Sequence, residues 1–413
     1  MLSALLLYIA IHYNPVMVDF DFTKPSTKKI ALNMEEFMDY KVIDRYIEEL
    51  LTKSTPDRPI WNIEKILQGL KSKWNYIDGC MIKALLEMYS ITKKQEYFDF
   101  ADAFIDYRVY DDGTIDGYDV SELNIDNVNA GKTLFELYDL TGKEKYRKAI
   151  DLIYSQIKLM PRTAEGSFWH KNIYPNQVWL DGLYMCQPFY MEYETRFNDK
   201  KNYDDIFLQF KNVIKNMKDP VTGLYKHAYD HSREMFWCDP VTGLSQNFWL
   251  RALGWYSMAL LDTIDKADPD CKDTQLLKDT FTDLMEAMLK YQDESGMWYQ
   301  VVNYGKLAPN YLETSGSSIM AYALLKGVRL GYLPESYREY GIKAFNGVCN
   351  KYLSEDENGE MHLGGICLVA GLGGKQMRSG TFDYYMSEPV VKDDAKGVGP
   401  FLLAYTEMLR LNM

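Results

Sequence analysis

The sequence predicts an all-α protein built as an (α/α)6 barrel with small β-hairpins at its mouth. Two observations support this prediction. Six apolar segments rich in small residues recur along the chain, and each has a companion segment whose apolar residues repeat at i, i+3 and i+4 beside a charged face. Buried helices with small side chains can form a close-packed inner ring that amphipathic helices cover. Six such pairs therefore favour a closed barrel.

Each element of this barrel has its own signal in the sequence. The inner segments open near Asp78, Asp126, Asp181, Trp249, Ser315 and Asp394. The amphipathic segments are predicted at 42–52, 97–107, 146–158, 203–217, 274–291 and 337–352. An open α-solenoid of helix pairs is the alternative. It is disfavoured because the chain has no short strict repeat and ends on another inner-type helix.

A six-residue string, Asp-Pro-Val-Thr-Gly-Leu, occurs at 219–224 and again at 239–244. Its Pro and Gly spacing is typical of turns. Between the two copies, residues 224–230 have the pattern of a short strand, which we expect to form a hairpin at the barrel mouth.

No linker rich in Pro, Gly or Ser divides the chain, so residues 31–413 are predicted to form a single domain. Residues 1–30 are a separate N-terminal segment. Within it, residues 2–11 are apolar and uncharged but too few to span a bilayer. Two interpretations stay open: an atypical signal peptide, which implies a periplasmic protein, or a packing segment of a cytoplasmic one.

Composition excludes several classes of function. The net charge of −13 and the lack of a basic tract argue against nucleic-acid binding. The hydrophobic and charged fractions, 47% and 25%, are ordinary for a soluble protein without a membrane partner. None of the six cysteines forms a C-x-x-C pair, which argues against zinc and redox motifs. The 33 Tyr and 8 Trp suit carbohydrate binding and a Tyr-rich core equally well.

The segment from Tyr174 to Tyr184 carries the strongest catalytic signal. It places Asp181 at the start of an inner helix, two residues after Trp179. A carboxyl group among aromatic rings is poorly solvated and can act as an acid near neutral pH. Asp126 opens a similar segment, and the starts of the inner helices line one mouth of the barrel. Helix capping is the alternative for any such Asp; we assign Asp78 and Asp394 to capping.

Cationic candidates accompany these carboxylates. Arg251 follows Trp249 and precedes Trp255, where it could clamp a substrate carboxylate or form a buried ion pair with a local Asp. Lys171 and His227 are further candidates for binding a carboxylate or hydroxyl. His227 and His231 have the spacing of a helical metal pair, but turn residues flank them and no third ligand follows. We therefore predict no metal and no cofactor.

Several strings together resemble one family. They are Ile-Asp-Asn-Val-Asn at 125–129, Phe-Trp-His-Lys at 168–171, Tyr-Pro-Asn-Gln-Val-Trp-Leu-Asp-Gly-Leu-Tyr-Met at 174–185, Tyr-Lys-His-Ala-Tyr-Asp at 225–230, Phe-Trp-Leu-Arg-Ala-Leu-Gly-Trp at 248–255 and Ser-Glu-Pro-Val-Val-Lys-Asp-Asp-Ala-Lys-Gly-Val-Gly-Pro at 387–400. In this combination the chain resembles the unsaturated rhamnogalacturonyl hydrolases of glycoside hydrolase family 105, which are related to the unsaturated glucuronyl hydrolases of family 88.

The resemblance implies a six-hairpin glycosidase fold and metal-independent catalysis. It also implies that Asp181 is the general acid and base and that Asp126 holds the sugar ring. The residues that would bind the sugar or shape its pocket are Lys171, Trp179, Met185, His227, Trp249, Arg251 and Trp255. Ile125 departs from the family, because related enzymes often have a His at this position.

The resemblance further implies hydration of the 4,5-double bond of a terminal unsaturated uronic acid, with galacturonic acid linked to rhamnose as the expected substrate. The protein's partner would be a small acidic oligosaccharide, and we expect a monomer. Three alternatives stay open. They are an unsaturated glucuronyl hydrolase acting on ulvan or glycosaminoglycan disaccharides, a glycosidase or epimerase acting on saturated sugars, and a non-catalytic carbohydrate-binding protein.

Overall fold

The computed structural model describes residues 41–411. In chain order its helices are α1 (Lys41–Thr52), α2 (Ile63–Leu67), α3 (Tyr76–Thr92), α4 (Gln95–Arg108), α5 (Lys132–Thr141), α6 (Glu144–Leu159), α7 (Leu180–Phe197), α8 (Tyr203–Met217), α9 (Leu250–Lys266), α10 (Thr274–Leu289), α11 (Thr314–Arg329), α12 (Arg338–Tyr352), α13 (Phe382–Ser387) and α14 (Ala395–Arg410). Short 3-10 turns cover Val120–Glu122, Ile125–Gly131, Val302–Tyr304 and Glu335–Tyr337. The predicted segment 1–30 lies outside the described residues.

Six helices form a closed inner ring. Helix α3 packs on the 3-10 turn that leads into α5, that turn packs on α7, and α9, α11 and α14 follow in order. Helix α14 then packs back on α3. Outer helices α4, α6, α8, α10 and α12 each pack on the inner helix that precedes them in the chain. The predicted (α/α)6 barrel is confirmed, and the ring closure rules out the open solenoid.

Small residues allow the inner helices to approach closely. A Cβ atom added at Gly79 of α3 would lie 2.6 Å from the Cα of Ala130. One added at Gly399 of α14 would lie 2.9 Å from the carbonyl oxygen of Cys80. Atoms cannot approach this closely without a shift of the backbone. The small residues of the inner segments therefore have the packing role that their sequence pattern predicts.

The strands are short and pair in twos. They are β1 (Gln177–Trp179) with β2 (Ala228–Asp230), β3 (Leu353–Glu355) with β4 (Met361–Leu363), and β5 (Ile366–Cys367) with β6 (Val390–Val391), all antiparallel. The strand predicted within 224–230 exists, and its ladder partner is β1. Tyr229 also forms an antiparallel bridge with Leu244, which agrees with the predicted hairpin. Each Asp-Pro-Val-Thr-Gly-Leu copy closes a turn in which Asp219 or Asp239 accepts two backbone N–H bonds. The segment between the two turns can therefore pair with β1.

Within residues 41–411, no helix is both long and apolar enough to cross a membrane.

Candidate active site

Asp126 and Asp181 lie at the end of the barrel where the inner helices begin. Asp181 is in the first turn of α7, and Asp126 is in the 3-10 turn that precedes α5. Neither residue caps its helix, because Asn124 accepts the backbone N–H of Asp126 and α7 starts without a side-chain cap. The capping alternative is therefore excluded for both carboxylates.

Of the two aspartates assigned to capping, Asp394 caps its helix and Asp78 does not. Asp394 caps α14 by accepting the N–H of Lys396, as predicted. The capping prediction for Asp78 is wrong, because Asn75 is the residue that caps α3. Asp78 lies inside the first turn instead, and its carboxylate accepts bonds from side chains that include Trp61. Burial raises the pKa of Asp78 to about 6.

Backbone hydrogen bonds join the segments that carry the site. The N–H of Ile125 donates to the carbonyl of His170 over 3.2 Å, and the N–H of His170 donates to that of Gln177 over 2.8 Å. The N–H of Leu180 donates to the carbonyl of His227 over 3.1 Å. Three segments that are distant in sequence, around residue 125, at 170–180 and around residue 227, are thereby fixed side by side at the mouth.

Asp126 is an ionised carboxylate paired with a lysine. Its Oδ2 lies 2.6 Å from Nζ of Lys171, and its Oδ1 lies 3.4 Å from Nε2 of His170. Burial alone would raise the pKa of Asp126, but the charge and hydrogen bond of Lys171, together with the effect of His170, hold the pKa below its ordinary value. Burial lowers the pKa of His170 to about 4, despite the opposing effect of Asp126. His170 is therefore neutral at physiological pH.

Asp181 faces a fully buried histidine. Its Oδ2 lies 3.3 Å from Nε2 of His227. Both of these atoms are buried, and neither has a hydrogen-bond partner in the part of the chain that the structure describes. On the other side of the ring, Nδ1 of His227 lies 2.7 Å from the hydroxyl of Tyr385. The carboxyl of Asp181 is thus held against a histidine whose far nitrogen is fixed by a tyrosine.

Aromatic rings enclose these polar groups. Trp179 lies between His170 and Tyr174, with parallel rings at centroid distances of 4.7 and 5.3 Å. Its edge meets His227 at 5.4 Å. Trp249 contacts the same histidine, at a centroid distance of 4.7 Å. Flat apolar surfaces next to carboxylates suit a sugar ring, which presents C–H groups on its faces and hydroxyls at its edge.

The Arg251 guanidinium has one nitrogen that donates to the protein backbone and two that do not. Its guanidinium carbon lies 5.0 Å above Trp249, and Nη2 donates to the carbonyl of Cys367. Nε and Nη1 are buried and have no hydrogen-bond partner among residues 41–411. Among the described residues no carboxylate lies within ion-pair distance of Arg251, so the alternative of a buried pair with a local Asp is not supported. These free donors can form charge-assisted hydrogen bonds with a carboxylate.

Met185 and Trp255 lie one helical turn beyond Asp181 and Arg251, on α7 and α9. Both are almost fully buried, and the Trp255 ring stacks on Tyr184 at 5.1 Å. They belong to the apolar packing beneath the polar groups.

Sequence reasoning missed four residues of this site. His170 lies in the motif at 168–171, next to Lys171, which the sequence does identify as a candidate. Tyr385 belongs to α13. Burial raises the pKa of Glu388 to about 7, against the opposing charge of Arg378. The Arg378 guanidinium and the Trp179 ring both border Gly371. The sequence feature that could have identified Arg378 is a cation in a glycine-rich loop at the mouth.

His227 and His231, which have the sequence spacing of a helical metal pair, have different partners in the structure. His227 contacts Asp181 and Tyr385, whereas His231 lies 3.8 Å from Glu165. Between residues 41 and 411, one group of three metal-type side chains lies close together: Asp356, Glu360 and His362, on the β3–β4 hairpin.

Comparisons with known proteins place the chain among glycoside hydrolases. A family model described as Glycosyl Hydrolase Family 88 matches residues 46–412. A solved family 105 glycoside hydrolase from C. acetobutylicum ATCC 824 is 46% identical, with a TM-score of 0.82 over 89% of this chain and 98% of that one. Protein Atu3128 of Agrobacterium fabrum is 41% identical over 55% of this chain and 99% of its own length. The unsaturated rhamnogalacturonyl hydrolase YesR of Bacillus subtilis strain 168 is 26% identical over 62% of this chain and 72% of its own.

Proposed function

From the premise that the chain belongs to Glycosyl Hydrolase Family 88 and is an unsaturated uronyl glycosidase, we propose its substrate and its catalytic residues. The substrate is a disaccharide of unsaturated galacturonic acid and rhamnose, such as a lyase releases from rhamnogalacturonan I. The likeness to the rhamnogalacturonyl hydrolase of Bacillus subtilis supports this choice. The single observation that carries the catalytic assignment is the unpartnered carboxylate oxygen of Asp181, which faces His227.

Asp181 acts first as an acid and then as a base. As a carboxylic acid it transfers its proton to C4 of the 4,5-double bond, which leaves positive charge shared between C5 and the ring oxygen. The resulting carboxylate then takes a proton from water while the water oxygen bonds to C5. Asp181 is thereby restored to its acid form. The product is an unstable hemiketal that opens and releases the aglycone.

Asp126 and Lys171 hold the sugar ring. An ionised carboxylate accepts hydrogen bonds from sugar hydroxyls, and the neighbouring ammonium keeps Asp126 ionised. His227 donates to the reacting ring or to Asp181. Trp179 and Trp249 are almost fully buried and shape the pocket around these groups.

Arg251 binds the uronic acid carboxylate. Its two unpartnered donors, Nε and Nη1, lie on different edges of the guanidinium, and either can donate a charge-assisted hydrogen bond to the carboxylate. Trp255 and Met185 shape the pocket beneath the ring. Ile125 is buried beside His170 and Gly182, so it supplies an apolar contact where related enzymes often have a His. We propose that this difference tunes the preference for the aglycone.

The test is the ultraviolet absorbance of the unsaturated disaccharide after addition of the protein without added metal. Loss of the alkene signal together with release of rhamnose would support the proposal. If the signal persists, ulvan and glycosaminoglycan disaccharides are the next substrates, and activity on one of them would replace the galacturonic acid assignment.

Substitution of Asp181 tests the catalytic assignment. We expect Asp181→Asn to lower kcat by on the order of 10²–10⁴-fold, the usual contribution of general acid–base catalysis, while the circular dichroism spectrum is kept. Asp199→Asn is the matched control, because the Asp199 side chain is 93% exposed and its loss should change nothing. Full activity of Asp181→Asn would remove Asp181 from the mechanism.

A further inference from the structure

A second cavity lies at the far end of the barrel, away from Asp126 and Asp181. It encloses about 510 Å³ including its opening. Five inner helices line it, mostly with residues from beyond their first turns, whereas the candidate active site uses residues at or before the first turns. No residue to which we assign a role in uronide hydrolysis lines this cavity.

Four lysines line this cavity, and three of them have carboxylate partners. The pairs are Lys83 with Glu87 at 2.8 Å, Lys266 with Glu192 at 2.9 Å, and Lys326 with Asp262 at 2.9 Å. Lys132 differs: no carboxylate of the described chain lies within ion-pair distance of its amine. Its Nζ donates to the backbone carbonyl of Tyr184 over 3.0 Å and lies 3.3 Å above the ring of the same residue.

Burial and the neighbouring charge of Lys83 favour the neutral amine of Lys132. Burial lowers its pKa to about 7, and the positive charge of Lys83 acts in the same direction. The groups that oppose this shift are Asp262 on α9, Cys80 on α3 and Cys186 on α7. Asp262 is already neutralised by Lys326 of α11, which also bonds the hydroxyl of Tyr322.

The cavity opens to solvent at its rim. The side chains of Lys266 and Asp265 are 34% and 39% exposed, whereas that of Lys326, further inside, is 8% exposed. Small molecules can therefore enter. Five carboxylates line the walls, against three lysines other than Lys132, so the cavity disfavours anions but not small uncharged molecules.

We propose that Lys132 is a nucleophilic amine that captures small aldehydes in this cavity as an imine. The nitrogen lone pair attacks the carbonyl carbon, and a proton moves from nitrogen to oxygen to give a carbinolamine. Loss of the hydroxyl group as water, with the second amine proton, forms the C=N bond. The step needs no oxidant or reductant, and it is reversible.

The experiment traps this imine in the intact protein. The protein is treated with glycolaldehyde and cyanoborohydride near neutral pH, and peptide mass spectrometry measures the rate of alkylation at each lysine. We expect Lys132 to react at least about tenfold faster than Lys201, because roughly half of an amine with a pKa near 7 is neutral there, against about one in 10³ for an ordinary lysine. Lys201, with a side chain 66% exposed, is the reference for free access.

Two internal comparisons make the result decisive. The paired lysines Lys83 and Lys326 should react more slowly than Lys201, since they share the cavity but are held as ammonium ions. Lys132→Arg should lose the fast reaction and leave the others unchanged. Alkylation of Lys132 at or below the rate of Lys201 would overturn the proposal. The experiment uses no uronide, so its outcome is independent of the proposed hydrolase substrate.

Discussion

At the scale of single residues, the candidate site is marked by buried polar atoms without protein partners. Asp181 Oδ2, His227 Nε2, and Nε and Nη1 of Arg251 all belong to this group. An unsatisfied buried polar group costs roughly 1–3 kcal/mol, and folded proteins rarely keep several of them together. A substrate that supplies hydroxyls and a carboxylate would satisfy these four atoms, which gives their lack of partners a functional reason.

The pair of Asp126 and Lys171 leads to a prediction about pH. In Lys171→Gln the strongest influence that holds down the pKa of Asp126 is lost, while burial continues to raise it. Asp126 then takes up its proton at a higher pH than before. We expect the acidic limb of the kcat/KM profile to move to higher pH, measured with the unsaturated disaccharide. Lys201→Gln, at an exposed position, should keep the original profile. An unshifted acidic limb in Lys171→Gln would show that Asp126 need not be ionised.

Tyr385 is a positioning residue for His227. When its hydroxyl donates to Nδ1, the imidazole proton is on Nε2, which faces Asp181. Tyr385→Phe removes this constraint and leaves Nδ1 buried without a partner. We expect kcat to fall about tenfold, which corresponds to about 1.4 kcal/mol, with KM nearly unchanged. A change in KM alone would instead assign Tyr385 to substrate binding.

At the scale of elements, the sequence predicts the helices better than the irregular turns between them and the long-range contacts. Helix α8 has the bounds that its apolar periodicity predicts, Tyr203–Met217, because an amphipathic face is a local property. The 3-10 turn at Ile125–Gly131 was not predicted, since Asn124 and the packing against α3 and α7 decide it. The contact between His227 and Tyr385 joins residues 158 positions apart. No local pattern encodes such a pairing, so the sequence identified the carboxylates but not the tyrosine.

The close approach of α3 to the turn before α5 can be tested with one methyl group. Gly79→Ala places a Cβ 2.6 Å from the Cα of Ala130, and backbone atoms cannot move aside cheaply. We expect the free energy of unfolding to fall by about 1–3 kcal/mol, the usual cost of overpacking, measured by urea denaturation. Gly364→Ala is the control, because its added Cβ would lie 3.7 Å from Tyr352, an ordinary contact. Equal stability of the two variants would contradict a steric role for Gly79.

At the scale of the whole molecule, the barrel separates two kinds of site. The starts of the inner helices and the neighbouring β1–β2 pair hold the residues for which we propose uronide chemistry, including the carboxylates, His227 and the tryptophans. Their later turns surround a cavity of paired charges that contains Lys132. Both sites depend on the same closed ring, because residues from several inner helices converge only when the ring is complete.

Ring closure therefore predicts how the protein responds to loss of its last helix. Helix α14 packs on both α3 and α11, and its removal would expose apolar faces of both. In an open solenoid, deletion of a terminal repeat costs only one interface. In this barrel the deletion opens the ring. We expect a chain ending at residue 393 to lose the cooperative unfolding transition and its near-ultraviolet circular dichroism, whereas a chain ending at residue 411 keeps both. If the shorter chain unfolds cooperatively near the original midpoint, the inner ring does not fold as one unit.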